Sequence, residues 1–236
     1  MKLSLLAEAA LRLLYPESCE VCRTLLELKQ KTLCVKCTLD LESRRIPLES
    51  KLSIPFVNRH WALYSYETPA KELLKNLKFH QKTWLLNAFR GAFIDFQTGF
   101  ESKVDWIVPV PLHHSKLIAR EFNQSLLISK IISKKTGAKI FQALKKTHAT
   151  PLQSSLPKSE RSINLRGVFK VTSKNKLAGK TILLVDDILT TGATAQEAAR
   201  VLKKSGAKRV ELFTVVRTEL TQSKKVFSSN KSEVIS

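Results

Sequence analysis

The stretch Leu183-Leu-Val-Asp-Asp-Ile-Leu-Thr-Thr-Gly-Ala-Thr194 joins an apolar run to two adjacent carboxylates and then to a hydroxyl-rich turn. Ionised carboxylates only accept hydrogen bonds, so Asp186 and Asp187 suit the hydroxyl groups of a sugar. The turn Thr190-Thr191-Gly192-Ala193-Thr194 leads into an apolar-periodic segment. A helix starting there would turn backbone N–H groups, and the positive end of its dipole, toward an anion. The threonine hydroxyls add donors, and Gly192 permits close backbone approach or a positive φ. A sugar with a terminal phosphate offers both kinds of partner. Neither G-x-x-x-x-G-K-[ST] nor G-x-G-x-x-G occurs, which excludes the Walker and dinucleotide loops. A plain strand–turn–helix with a threonine N-cap is the alternative, and the paired aspartates with three threonines in so short a run argue against it.

The second cluster of reactive side chains lies near the start. Cys19-Glu-Val-Cys22 and Cys34-Val-Lys-Cys37 are the chain's only cysteines. A C-x-x-C turn puts two thiolates on one side of a metal, and two such turns complete a tetrahedral sulfur site that suits zinc. Lys29, Lys31 and Lys36 could offset the negative charge of such a centre. Two disulfides or idle thiols are the other readings. The lack of a secretion-like start disfavours disulfides, and a redox C-x-x-C is usually single. A four-thiolate site is closed, so the expectation is structural zinc.

The elements that must position these residues follow from periodicity. Trp61-Ala-Leu-Tyr-Ser-Tyr66 reads as a strand. Ala70, Leu73, Leu74 and Leu77 give a helix, with Lys71, Lys75 and Lys78 off its apolar row. Val104–Val110 is a second strand, and a helix spans about Asn123 to Lys135 with Gly137 as its stop. Residues 145–167 have no clean period and read as a long functional loop. Thr181–Val185 is a strand, Ala195, Ala198, Ala199 and Leu202 mark a helix face, and Val210–Val216 closes as a strand. Alternating strands and helices imply an α/β fold with a parallel sheet. Leu41 to Pro55 reads as a linker. The expected division is therefore 1–55 (N-terminal helix, cysteine module and linker), 56–220 (α/β domain) and a polar tail over 221–236.

The chain has 236 residues and is 43% hydrophobic, enough for one domain with a small accessory unit. No apolar run is long enough to span a membrane. The start, MKLSLLAEAALRLLY, is interrupted by Glu8 and Arg12 and reads as a short amphipathic helix, so a cytoplasmic protein is expected. The formal charge is +20, and residues 56–178 hold 21 Lys and Arg against 7 Asp and Glu. Such an excess favours a polyanion partner, nucleic acid above all.

Val185 to Thr194 resembles the phosphoribosyl-pyrophosphate (PRPP) motif of phosphoribosyltransferases. Pro109-Val-Pro111 with Arg120-Glu-Phe-Asn-Gln124 resembles the P-V-P…R-G-F-N-Q segment of the ComF family. Thr150-Pro-Leu-Gln153 with Glu160-Arg161-Ser-Ile-Asn164-Leu-Arg-Gly-Val-Phe169 resembles that family's T-x-x-Q…E-R-x-x-N-x-x-x-x-F segment, and the double C-x-x-C is also as in the family. The resemblance covers roughly residues 10 to 217. Glu121 stands where the family usually has Gly. Phe79-His80-Gln81 replaces a motif that commonly contains Gly and an acidic residue after the Lys-aromatic pair.

The resemblance implies a phosphoribosyltransferase-like fold of parallel sheet flanked by helices. Asp186 and Asp187 would meet the ribose hydroxyls, one of them a candidate to assist a reaction. Thr190, Thr191, Gly192, Ala193 and Thr194 would hold the 5′-phosphate. Leu112, His113 and His114 would form a pyrophosphate loop, with magnesium arriving on the PRPP. Arg120, Asn123, Gln124, Arg161, Asn164 and Arg166 would bind anions or close a lid. Trp61, Tyr64, Tyr66 and Trp84 could stack bases, although core positions are the more ordinary role for single aromatics. The family points to natural transformation and DNA uptake, with single-stranded DNA and other competence proteins as partners. The sequence shows no acceptor-specificity element, so turnover with an unidentified acceptor and PRPP sensing without turnover both stay open.

Overall fold

The computed structural model describes residues 14–28, 30–100, 103–147 and 166–218. Its strands are β1 (Glu49–Ser50), β2 (Arg59–Ser65), β3 (Trp106–Pro109), β4 (Lys139–Ile140), β5 (Leu144–Lys146), β6 (Phe169–Val171), β7 (Thr181–Leu189) and β8 (Arg209–Arg217). The helices are α1 (Val35–Ser43), α2 (Ala70–Phe79), α3 (Arg90–Gly99), α4 (His114–Arg120), α5 (Gln124–Thr136) and α6 (Ala193–Lys204), with a 3-10 segment over Thr83–Phe89.

Six strands form one sheet in the order β1-β2-β8-β7-β3-β4, and β5 pairs with β6 in a separate antiparallel ribbon. Every pairing in the large sheet is parallel except β1 with β2. Both faces are covered, so the central strands β7 and β8 are apolar on successive residues, as parallel strands require. One face carries Leu183, Val185, Phe213 and Val215 against α2, α3 and α5. The other carries Ile182, Leu184, Val210 and Leu212 against α6. The α6 stripe is Ala195, Ala198, Ala199 and Leu202, all buried.

The cysteine segment packs into the first of these layers. Cys19, Leu26, Leu33, Cys37 and Leu41 share one apolar cluster with Trp61, Leu73 and Phe213. Glu20 adds a polar clasp, accepting from Lys82 Nζ at 2.7 and 2.9 Å while its backbone carbonyl accepts from Asn76 Nδ2 at 3.2 Å.

Two local readings of the sequence change. The segment from Leu41 to Pro55 is partly regular: α1 runs to Ser43, and β1 adds an edge through Glu49↔Trp61 and Ser50↔His60. A linker pattern hides a two-residue strand, which is too short to show a period. The strand expected over Thr181–Val185 continues to Leu189, because β8 runs alongside it through Asp186↔Thr214, Ile188↔Val216 and Leu189↔Arg217. The N-terminal helix, the segments Thr150–Gln153 and Glu160–Leu165, and the tail from Thr221 lie outside the described residues.

Candidate functional site

The aspartate pair occupies a step in the sheet. On the β3 side the ladder ends at Pro109↔Val185, with a last bond from Val110 N to Val185 O at 2.9 Å. Pro111 has no N–H to continue it, so the chain leaves the sheet there. Asp186 and Asp187 are thus bonded to β8 on one side and open on the other. This is the C-terminal edge of a parallel sheet, where such folds bind ligands.

Asp187 is buried and pairs with Lys78 at 2.7 Å, the last basic residue of α2. Asp186 is half-buried and accepts from Ser125 Oγ at 3.0 Å and from Asp187 N at 2.9 Å. Burial, and then the adjacent Asp187 charge, push Asp186 up to about 7, against the opposing pull of the Asp187 N–H, Lys78 and Ser125. Asp186 therefore sits near the point where its proton is gained or lost at neutral pH.

Ser125 is placed by Asn123. The Asn123 side chain caps α5 by accepting from Ser125 N at 2.9 Å, and its Nδ2 donates to Val110 O at 3.0 Å. One residue thus ties the end of β3 to the start of α5. Gln124 beside it is buried, and its Nε2 lacks a partner among the described residues. His113 caps α4, with Nδ1 accepting from Ser115 N at 3.3 Å and lying 2.8 Å from Ser115 Oγ. Leu112 and His113 are half-buried and His114 is exposed.

After Leu189 the chain turns through Thr190 and Thr191 to Gly192, whose φ of 79° is left-handed and favours glycine. Helix α6 begins at once; its N-cap Gly192 has no side chain to cap it, and Ala193 N makes only a long 3.5 Å bond to Thr191 Oγ1. The first N–H groups are what a helix start offers an anion. Asp186, Thr190, Thr191, Gly192, Ala193, Thr194 and Thr214 line one small hollow.

A cationic wall faces the acidic pair. Lys146 is driven down to about 8 by burial and then by the charge of Lys116, while Asp186 pulls the other way. Lys116 is lowered by burial and by Arg120 and Lys78. Lys78 and Lys146 thus act on Asp186, and Lys116 and Arg120 stand within reach of those lysines, so four cations gather on this side from three segments, α2, α4 and β5. The Arg120 guanidinium also lies 5.6 Å over the ring of Phe79.

The structure therefore brings together Asp186, Asp187 and Thr190 to Thr194, with Asn123 in a bracing position. It puts Leu112 and His113 on the loop leaving β3, His114 at the first position of α4, and Arg166 beside α6. Arg161 and Asn164 lie outside the described residues. Lys78, Ser125, Lys116, Lys146 and Thr214 were not expected here. For Lys78 the signal was its place off the apolar row beside Phe79; Ser125 and Lys146 carry none in sequence. Among the aromatics, Trp61 and Tyr64 are core, whereas Trp84 is exposed.

The four cysteines form a separate centre. Ser18↔Leu25 closes a small hairpin whose turn holds Cys19 and Cys22, and Cys34 is the residue before α1. Their sulfur atoms lie within 4.8 Å of one another, and Cys22 Sγ is 3.6 Å from Cys34 Sγ. A tetrahedral site with metal–sulfur bonds of about 2.3 Å needs sulfur atoms about 3.8 Å apart, whereas a disulfide needs about 2.05 Å. All four are free thiols, so the cluster fits a metal ion.

Comparison with known families adds the decisive observation: residues 97–234 match the phosphoribosyl transferase domain. The chain belongs to the phosphoribosyl transferase family. Three relatives share more of its length. Competence protein ComFC of Bacillus subtilis is 29% identical over 222 residues, covering 89% of this chain and 88% of the relative. DNA utilization protein YhgH of Escherichia coli is 29% identical over 208 residues, covering 85% and 90%. Competence protein F of Haemophilus influenzae is 29% identical over 159 residues, covering 64% and 69%. The ComF resemblance and the mainly parallel α/β fold are both borne out. No described helix of the chain is long and apolar enough to cross a membrane.

Proposed function

We propose that this chain binds a 5′-phosphorylated ribose of the PRPP type and takes part in handling single-stranded DNA during natural transformation, in the cytoplasm and alongside other competence proteins. The carrying observation is the juxtaposition of Asp186 and Asp187, at an open step of the sheet, with the threonine-rich turn and N-terminus of α6. The aspartates accept hydrogen bonds from ribose hydroxyls. The Thr190–Thr194 turn donates to the 5′-phosphate. Lys78, Lys116, Arg120 and Lys146 face the diphosphate, whose charge would otherwise repel the acidic pair. Magnesium, when bound with PRPP, would supply positive charge that offsets the diphosphate. Asp186 and Asp187 are the residues placed to meet it.

The DNA part rests on the names of the relatives and on the basic excess over residues 56–178. Zinc is the metal we assign to the four cysteines, since a closed four-sulfur set suits it. In this reading residues 1–55 form the metal-bearing module, 56–220 the ligand-binding unit and 221–236 a polar tail.

Calorimetric titration with PRPP and magnesium tests the first part. Binding is expected, with a loss of tenfold or more in Asp187→Asn, roughly what one charge-assisted contact supplies; unchanged affinity would remove the ribose from this place. Pyrophosphate release in the presence of candidate bases separates turnover from binding. For the DNA part, log affinity for a single-stranded oligonucleotide should fall linearly with log salt, and no binding at low salt would remove that role.

A further inference from the structure

A second concavity lies beyond the phosphate turn, on the outer side of α6. Its volume is about 920 Å³, and Phe56, Arg166, Gln196 and Arg200 line it, with Ala193 shared between it and the phosphate hollow. That volume falls in the range of small-ligand sites and exceeds what one nucleotide needs.

Phe56 is unusual in two respects. Its ring is 47% exposed, and its backbone adopts φ 69°, a left-handed conformation costly for a bulky residue. The turn that presents it is anchored on both sides. Ile54 packs into the apolar layer under α6, and its side-chain carbons lie 3.9 Å from where a Cβ on Gly192 would stand. Asn58 N donates to Val210 O at 2.7 Å, and Asn58 Oδ1 accepts from Val210 N at 3.0 Å. The exposed ring is thus held on a fixed support and not on a loose loop.

The charge around it is organised. Glu197 is buried and accepts from Arg200 Nε and Nη2 at 2.7 and 2.8 Å, and from Gly167 N at 2.8 Å. That carboxylate is compensated, holds Arg200 in one orientation, and fixes the backbone next to Arg166. The bonds to Glu197 do not use Arg200 Nη1. An aromatic face beside one positioned guanidinium group, Arg200, and a second arginine, Arg166, matches a nucleobase with its flanking phosphates.

We propose that this cavity receives a nucleotide of a single-stranded nucleic acid, its base stacked on Phe56 and its phosphates held by Arg166 and Arg200. The proposal rests on the DNA-handling reading above and gives that partner its place, next to the phosphoribose site and distinct from it.

The test is fluorescence anisotropy with a labelled oligodeoxythymidylate, on the full-length zinc-loaded protein at fixed low salt. Phe56→Gly should weaken binding about tenfold through lost stacking while raising the melting temperature, because glycine accepts the left-handed φ. A purely structural Phe56 would give a lower melting temperature and unchanged DNA affinity, which would overturn the assignment. Arg166→Gln should reduce the salt slope by about one, and an unchanged slope counts against a phosphate at that position. PRPP–magnesium affinity should be the same in Phe56→Gly as in the wild type. If the wild type binds no oligonucleotide at all, the DNA-handling reading falls together with this one. If it binds and Phe56→Gly binds equally well, only the cavity assignment falls.

Discussion

The cysteine centre and the aspartate site are built in opposite ways. The cysteine centre takes its four side chains from one short run, residues 19 to 37, and two local turns are enough to converge them. The aspartate site takes Lys78 from α2, Lys116 and Arg120 from α4, Ser125 from α5, Lys146 from β5 and the aspartates from β7. The first centre helps to make the fold and the second is made by it. They also differ in solvation. The four sulfur atoms lie close enough together to share one metal ion. The aspartates are held in a tense balance of burial, mutual repulsion and one lysine.

That contrast predicts the largest effect at the cysteines. Cys19 and Cys37 lie in the same apolar cluster as the sheet-facing residues of α2, so losing the metal should loosen the whole molecule. Chelation, or Cys37→Ser, is expected to cost about 5 kcal/mol or more, read as one cooperative shift in calorimetric melting. A melting curve unmoved by chelator, or metal analysis without zinc in reduced protein, would break the comparison at its first half.

The second effect is pH-dependent and belongs to the aspartates. The Asp186 pKa rises from 3.8 in the open chain to about 7 in the fold. A raised carboxyl pKa means the folded state holds its proton more tightly. The associated stability is full below about pH 4 and is lost as pH climbs through 7. Between pH 4 and pH 8 this amounts to roughly 2–4 kcal/mol, and Asp186→Asn should flatten that part of the stability profile. Ligand affinity should run the opposite way. Magnesium and ribose hydroxyls need the carboxylate, so PRPP–magnesium binding is expected to strengthen from pH 6 to 8. A profile that Asp186→Asn leaves unchanged would show that the pair is not under tension.

The third effect separates the two aspartates. Lys78 and Asp187 are both largely buried, so removing one partner strands the other's charge. Lys78→Met should destabilise by about 2–3 kcal/mol, and Lys78→Met with Asp187→Asn by clearly less than the sum. The coupling is measured by a double-mutant cycle in urea. Additive losses would mean the pair contributes nothing to holding the site.

How far each region was legible follows from the same contrast. The cysteine spacing and the Asp-Asp-Thr-Thr-Gly-Ala-Thr run are local patterns, and their geometry is largely dictated by neighbours in sequence. The helix faces at Leu73, Leu74 and Leu77 and at Ala195, Ala198 and Ala199 were legible for the same reason. Lys78 could be placed off an apolar row but not aimed. Its meeting with Asp187 depends on how α2 lies on the sheet, which no local period encodes. Ser125 and Lys146 are likewise ordinary residues until β3, α5 and β5 are assembled. The extent of β7 past Val185 was missed because β8, not its own sequence, decides how far the ladder runs.

The smallest expected effect lies where this chain departs from the family pattern. Glu121 follows α4 with φ 62° and ψ −13°, its N–H donating to Leu117 O at 2.7 Å. This is a left-handed helix end, which explains physically why glycine is usual at that place in the family. Gln81 is also left-handed, with φ 54°, in the other departing segment. A glutamate in this conformation costs about 1 kcal/mol, part of which glycine's greater freedom in the unfolded chain offsets. Glu121→Gly should therefore stabilise by about 0.5–1 kcal/mol in urea titration, whereas Glu121→Ala, which keeps the Cβ, should not. Removing a carboxylate next to Arg120 should also raise PRPP affinity slightly, by about twofold in both variants. Equal stabilities for the two variants would mean that the left-handed helix end carries no strain. A gain in affinity confined to glycine would mean that backbone freedom at this turn, and not charge, is what the aspartate site feels.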